Sequence, residues 1–298
     1  MMDDKYWEPL RAAYPEEYAR FRSFLDTHQE RRAELGGKTI SYYSCGHGQR
    51  TLLTFAGGWG GVELAYETVL GFEGRNRVVV VDVSAYDDPD EMGRGVNGVL
   101  DAENVDRVIV FGQSLNGIIG QSYFKRHYQR VDGLVLTNTL APRKERSKTW
   151  ALALLKILPL RWMKPLVRRK MTRLGEFKQE VPPEVLAGRR FAAALMGQMI
   201  DGYWTKRGTM NILKLAFAFN ERDGYTPDSF PGWRGRVLNI TSPDDPYYPD
   251  VELLMKNLPR AEKYEFPPGI GHVAPQIHRD EFQKIIQGFI DRLDSHDG

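Results

Sequence analysis

Three residue types, in one order along the chain, have what is needed to make and break an acyl bond. In "DRVIVFGQSLNGIIGQSYFKRH" an apolar run ends at Gly112, Ser114 follows, and a helical pattern begins at once. A serine in so tight a strand-to-helix turn has a strained backbone and lifts its hydroxyl above the sheet, if its neighbours two positions away are small. Gly112 meets that need on one side. On the other, Asn116 does not, and Gly117 supplies the small residue one position later. The competing reading of Ser114 is a helix N-cap, its hydroxyl bonded to a backbone N–H one turn on. Partners decide between the two, because serine is a poor nucleophile without a base.

"GIGHVAP" sets His272 in a late loop, where it can reach over the sheet edge as general base. "VLNITSPDDPYYP" ends a strand in Asp244 and Asp245. An acid there accepts the second N–H of the histidine, holds its tautomer and stabilises the imidazolium. Asp245 is the preferred member of the pair, with Asp244 left open. The other histidines stand in polar, helical, terminal or turn contexts. His47 lies beside Cys45, but one Cys with one His is too little for a zinc site, so no metal is expected. Finally, "LLTFAGGWGGVELAY" ends a strand in paired glycines, which let backbone N–H groups approach a developing oxyanion. The expected donors are the N–H groups of Gly58 and Leu115. Trp59 and Asn116 are expected to border the substrate pocket. The loop has neither the Lys-Ser/Thr of a phosphate loop nor the spacing of a dinucleotide-binding turn.

Something must hold these residues together, and the chain supplies strands that alternate with helices. "RTLLTFAGG", "NRVVVVDVSAYDD", "DRVIVFG", "VDGLVLTNTLAP" and "GRVLNITSPDD" read as strands, with helical stretches between most of them. That alternation implies βαβ units and a mostly parallel sheet. Residues 5–35 read as helical, and "KTISYYSC" precedes "RTLLTFAGG" as a strand across a glycine-bearing turn. From about Arg143 to Phe230 helix follows helix. An insertion of that kind sits over the C-terminal strand ends, where open α/β sheets bind ligands. The implied organisation is an N-terminal helical segment (1–36), a core (37–142 and 231–298) and a helical cap (143–230).

Composition narrows the partners. The 298 residues are 42% hydrophobic and 27% charged, the balance of a globular chain. The acidic, aromatic N-terminus is not a secretory signal, and Cys45 is the single cysteine, so a cytoplasmic, reducing setting is expected. Charge is uneven: from Arg143 to Arg173 eleven Lys or Arg stand against Glu145 alone, so this segment carries +10 of a net +2. "TWALALLKILPLRWMKPLVRRKMTRL" mixes these charges with Leu, Ile, Trp and Met at helical spacing. The favoured reading is an amphipathic helix packed on its own domain. Peripheral contact with an anionic membrane is the functional reading. Near-balanced overall charge and the lack of a binding motif exclude a nucleic-acid partner.

"FAGGWGG", "FGQSLNG", "YQRVDGLVLTNTLAP", "VLNITSPDDPYYP" and "PPGIGHVAP" together resemble the oxyanion loop, elbow, following segment, acid loop and histidine loop of the α/β-hydrolase superfamily, from about Gly37 to Leu293. "FRSFLDTHQERR" and "YYSCGHGQRTLLTFAGG" look most like the maspardin-related branch. The resemblance implies an eight-stranded, largely parallel sheet with a helical cap, and hydrolysis through an acyl-enzyme with no cofactor. Two residues depart from the pattern: Ala56 stands where many members have histidine, and Asn116 replaces the usual small residue. The expected activity is that of a serine hydrolase on a small, apolar ester-like substrate. The alternatives are a catalytically weak adaptor on the same fold, or a carbon–carbon bond hydrolase or lyase.

Overall fold

Runs of β-branched residues set the centre of the molecule, because they favour extended backbone buried on both faces. In "RVVVVD", Val78 and Val80 face one side with Leu52, Ile109 and Val135, while Val79 and Val81 face the other with Leu53, Val110 and Leu134. The computed structural model describes residues 4–56, 61–146, 156–174, 180–269, 271–273 and 277–294.

Eight strands form one sheet: β1 (Arg31–Leu35), β2 (Lys38–Cys45), β3 (Thr51–Ala56), β4 (Arg77–Asp82), β5 (Val108–Gln113), β6 (Val131–Thr137), β7 (Arg236–Thr241) and β8 (Ala261–Glu265). Their order is β1-β2-β4-β3-β5-β6-β7-β8. The pairs β1/β2 and β2/β4 are antiparallel, and all the others are parallel. The mostly parallel sheet expected from the sequence is therefore present. Helices α1 (Asp4–Ala13), α2 (Pro15–Thr27), α3 (Tyr66–Phe72), α4 (Pro89–Ala102) and α5 (Leu115–His127) come before β6 or flank the strands. The chain closes with α9 (Val251–Asn257) and α10 (Arg279–Asp294).

Two local expectations are corrected. The helical reading of residues 5–35 fails at its end, where "RRAEL" is strand β1. Its Arg, Ala, Glu and Leu favour helix, but Gly36 (φ 59°) and Gly37 (φ 74°) make a two-residue turn that pairs Leu35 with Lys38. Pairing overrides propensity here. In addition, β2 and β3 follow one another in the chain but not in the sheet, since β4 lies between them.

Between β6 and β7 the described residues form helices and no strand: α6 (Leu160–Leu174), α7 (Pro183–Gly202) and α8 (Lys206–Arg222). Met163 of α6 packs with Ile200 and Trp204 in a small separate cluster. Thr205 caps α8, its hydroxyl accepting from the Gly208 N–H at 3.1 Å. The far end of α8 is tied to α5 by Arg126, which reaches the fully buried Asp223 at 2.8 Å.

Candidate active site

Ser114 stands between β5 and α5 at φ 54° and ψ −121°, a conformation that L-residues rarely adopt. Its neighbours hold it there. The Ser114 N–H donates to the Thr137 carbonyl at 2.9 Å. Its own carbonyl accepts from the Gly117 N–H at 3.1 Å and from the Thr139 hydroxyl at 2.7 Å. The turn is so tight that a Cβ at Gly112 would lie 2.5 Å from the Asn116 carbonyl oxygen and 2.6 Å from Gly117 Cα. Although Ser114 occupies the N-cap position of α5, its side chain makes no capping hydrogen bond. The hydroxyl is not spent on the helix.

Asn116 is compatible with this turn for a simple reason. The collision at Gly112 involves the backbone of residue 116, not its side chain. The small residue is needed at Gly117, where a Cβ would lie 2.5 Å from the Thr139 hydroxyl oxygen. Asn116 instead borders the cavity described below.

After β7 the chain turns through Asp245, which is fully buried in its side chain. One carboxylate oxygen accepts from the Tyr247 N–H at 2.7 Å, and the other lies 2.5 Å from His272 Nδ1. With Nδ1–H committed to the carboxylate, Nε2 is the ring nitrogen left with a lone pair. Asp244 has a different partner: its carboxylate accepts from the Gly269 N–H and so braces the histidine loop. Tyr247 sets its ring edge-on to His272, with centroids 5.4 Å apart. Burial, followed by the nearby Asp245 charge, pushes the Tyr247 hydroxyl above its ordinary pKa of 10.0.

A cavity of about 670 Å³ brings Ser114, Leu115, Asn116 and His272 to one surface. Leu115 is the first residue of α5, so its N–H has no intrahelical acceptor. Gly58, Trp59 and, further on, Trp150 lie outside the described residues. The opposite wall comes from α6, α7 and α8 and includes Arg168, Arg189, Met196, Ile200 and Leu213. Burial lowers the Arg189 pKa from its ordinary value. Among the described residues no carboxylate borders this cavity. His127 is elsewhere, packed beside α4 with Nδ1 3.1 Å from the Asn97 amide.

Among solved structures, an enol-lactonase from Burkholderia xenovorans LB400 superposes with a TM-score of 0.67 over 88% of this chain and 100% of its own, at 17% identity. The chain has the α/β-hydrolase fold. Two curated proteins match the chain in sequence at low identity. Maspardin of Danio rerio is 28% identical over 156 residues, a match that covers 51% of this chain and only 48% of that protein. A 2-hydroxy-6-oxononadienedioate/2-hydroxy-6-oxononatrienedioate hydrolase 1 of Dechloromonas aromatica (strain RCB) is 22% identical over 276 residues, covering 84% of this chain and 90% of that one. No protein-family model matches the chain.

Sequence reasoning missed the residues that hold this site together. Asn138, past the end of β6 at φ 45°, donates its amide to the carbonyls of Gly271 and His272 at 3.3 and 3.2 Å. The Ser242 hydroxyl accepts from the Gly271 N–H at 3.0 Å. "TNT" after an apolar strand carried a signal, since Asn tolerates the left-handed region better than most residues. Nothing in the sequence named its partner.

Proposed function

We propose that this protein is a serine hydrolase acting on an ester or a closely related carbonyl compound. One observation carries the reading: Ser114, strained and uncapped, shares a cavity with His272, whose Nδ1 is bound to Asp245. In this mechanism Ser114 Oγ attacks the substrate carbonyl while His272 Nε2 takes the hydroxyl proton. Asp245 stabilises the resulting imidazolium. The oxyanion is held by the N–H of Leu115 and, on the sequence argument, that of Gly58. His272 returns the proton to the leaving alcohol, and a second cycle with water releases the acid and regenerates Ser114. Thr139 and Asn138 act on position, one on the serine turn and the other on the histidine loop.

Intact mass after incubation with a fluorophosphonate tests this reading. A single adduct is expected on the wild type and none on Ser114→Ala. A folded wild type that stays unlabelled would leave the adaptor reading in its place. The second reading, hydrolysis of a carbon–carbon bond in the same cavity, is supported by the Dechloromonas relative, which is named as a dioate hydrolase and whose match covers 84% of this chain. Product analysis with an aryl ester and with a hydroxy-oxo-dienoate separates the two.

We extend the proposal to the start of α6 and the residues just before it. Ile157 and Trp162 are 77% and 58% exposed, and the Arg161 guanidinium lies 5.9 Å from the Trp162 ring. This cationic and apolar patch suits the headgroup level of an anionic membrane. Co-sedimentation with phosphatidylserine vesicles should fall in Trp162→Ala; unchanged sedimentation would remove the idea. No helix among the described residues is long and apolar enough to cross a membrane.

A further inference from the structure

We propose that His28, Cys45 and Glu73 form a binding site for one zinc-type divalent cation, at the sheet edge opposite the candidate active site. The three come from separate elements: His28 just past α2, Cys45 at the end of β2 and Glu73 just past α3. One donor atom from each lies within 4.8 Å of the others. Because β2 runs antiparallel to β4, Cys45 pairs with Val78 near the start of that strand, whereas Ser114 follows the C-terminal end of a strand. The two sites are therefore independent of one another.

The orientation of His28 is the second observation. Its Nδ1 lies 3.0 Å from the Phe24 carbonyl, an acceptor only, and 2.8 Å from the Thr27 hydroxyl. That hydroxyl already donates to the Ser23 carbonyl at 2.7 Å. Nδ1 is thus the N–H nitrogen, and Nε2 points its lone pair at the Glu73 carboxylate, 2.8 Å away. Two electron-rich atoms face each other, and they need a proton or a cation between them. A histidine held by a backbone carbonyl at one nitrogen and free to coordinate with the other is the usual arrangement of a metal ligand. Phe24 stacks on the ring at 4.3 Å and restricts its rotation.

The donor set of one nitrogen, one sulfur and one oxygen suits zinc, which is borderline soft and tolerates mixed ligands. Bond lengths of about 2.0–2.3 Å put tetrahedral donors roughly 3.3–3.7 Å apart. Binding would draw the cluster to that spacing from donor atoms that lie within 4.8 Å of one another. Binding displaces the Cys45 thiol proton to solvent, and water completes the tetrahedron. Arg31, a cation whose charge acts on Cys45, is itself paired with Glu103 at 2.8 Å.

Cobalt(II) titration of the chelator-treated full chain tests the proposal. One equivalent should produce a near-ultraviolet thiolate-to-cobalt charge-transfer band, and zinc should bleach it. Cys45→Ser should abolish the band, and His28→Ala should weaken zinc binding at least about tenfold. Circular dichroism melts in chelator check that both variants fold. If either does not, the wild-type band alone decides the matter. No band in the wild type, or zinc bound by Cys45→Ser and His28→Ala as tightly as by wild type, would overturn the site and leave only the His28–Glu73 pair. Ester hydrolysis does not enter the readout.

Discussion

The strand ends below the cavity and the helices above it are built on different terms. Below, β3 is buried along its whole length, and part-buried hydrogen bonds tie the Ser114 carbonyl, the His272 carbonyl and the His272 ring to residues at neighbouring strand ends. Above, α6 and α7 meet through a small cluster around Met163, and Arg168 pairs with Asp201 where both are about half exposed. Exposed ion pairs of that kind add little to stability. On the proposed function, the contrast would put the chemistry on the floor and the choice of substrate in the roof, because reacting atoms need sub-ångström placement while an apolar wall needs only shape.

The strongest way to break that division is to remove the floor's chemistry. Ser114→Ala is expected to lower kcat on a p-nitrophenyl ester about 10⁶-fold, with the urea midpoint unchanged or raised. Substantial residual turnover would move the reaction elsewhere. Asp245→Asn should cost about 10⁴ in kcat while leaving KM near wild type, because the wrong histidine tautomer is then favoured. The same substitution at Asp244 should cost far less, which would separate the acid from its neighbour. At the roof the effect should be smaller and of another kind. Ala193 borders the cavity, so Ala193→Phe should depress kcat/KM for long acyl chains about tenfold or more relative to acetate. An equal loss on acetate would erase the distinction.

The smallest expected effect is a pH dependence that belongs to the layer beneath the floor. Burial, followed by the charges of Arg126 and Arg130, lowers the His127 pKa below its ordinary 6.5. As pH falls through 6.5 the unfolded chain binds this proton before the folded one does. The stability contribution present above that pH is therefore lost below it. Urea midpoints at two pH values either side of 6.5 should diverge less in His127→Gln than in wild type.

Much of this division was legible in the residues. Valine-rich runs announced the buried strands, and the order Ser114, Asp245, His272 followed from three strand ends. What stayed hidden had physical reasons. Asp244 and Asp245 are adjacent and chemically alike, and only the path of the chain shows that one meets Gly269 and the other His272. "RRAEL" is an edge strand with one exposed face, so it lacks the apolar alternation that marks a buried strand. Near Cys45 the sequence offers only His47, while His28 and Glu73 approach from 17 residues before and 28 after. Local spacing carries turn geometry well and long-range convergence poorly.

The backbone of Ser114 has one more consequence. Only glycine adopts φ 54° with ψ −121° without penalty, and a non-glycine residue held there costs on the order of 1–3 kcal/mol. Replacing the serine by glycine would release that energy and, on the proposed function, silence the chemistry in one step. A population of variants selected for heat resistance alone would therefore drift toward silent proteins at this position. On the proposed function, only demand for turnover would oppose that drift.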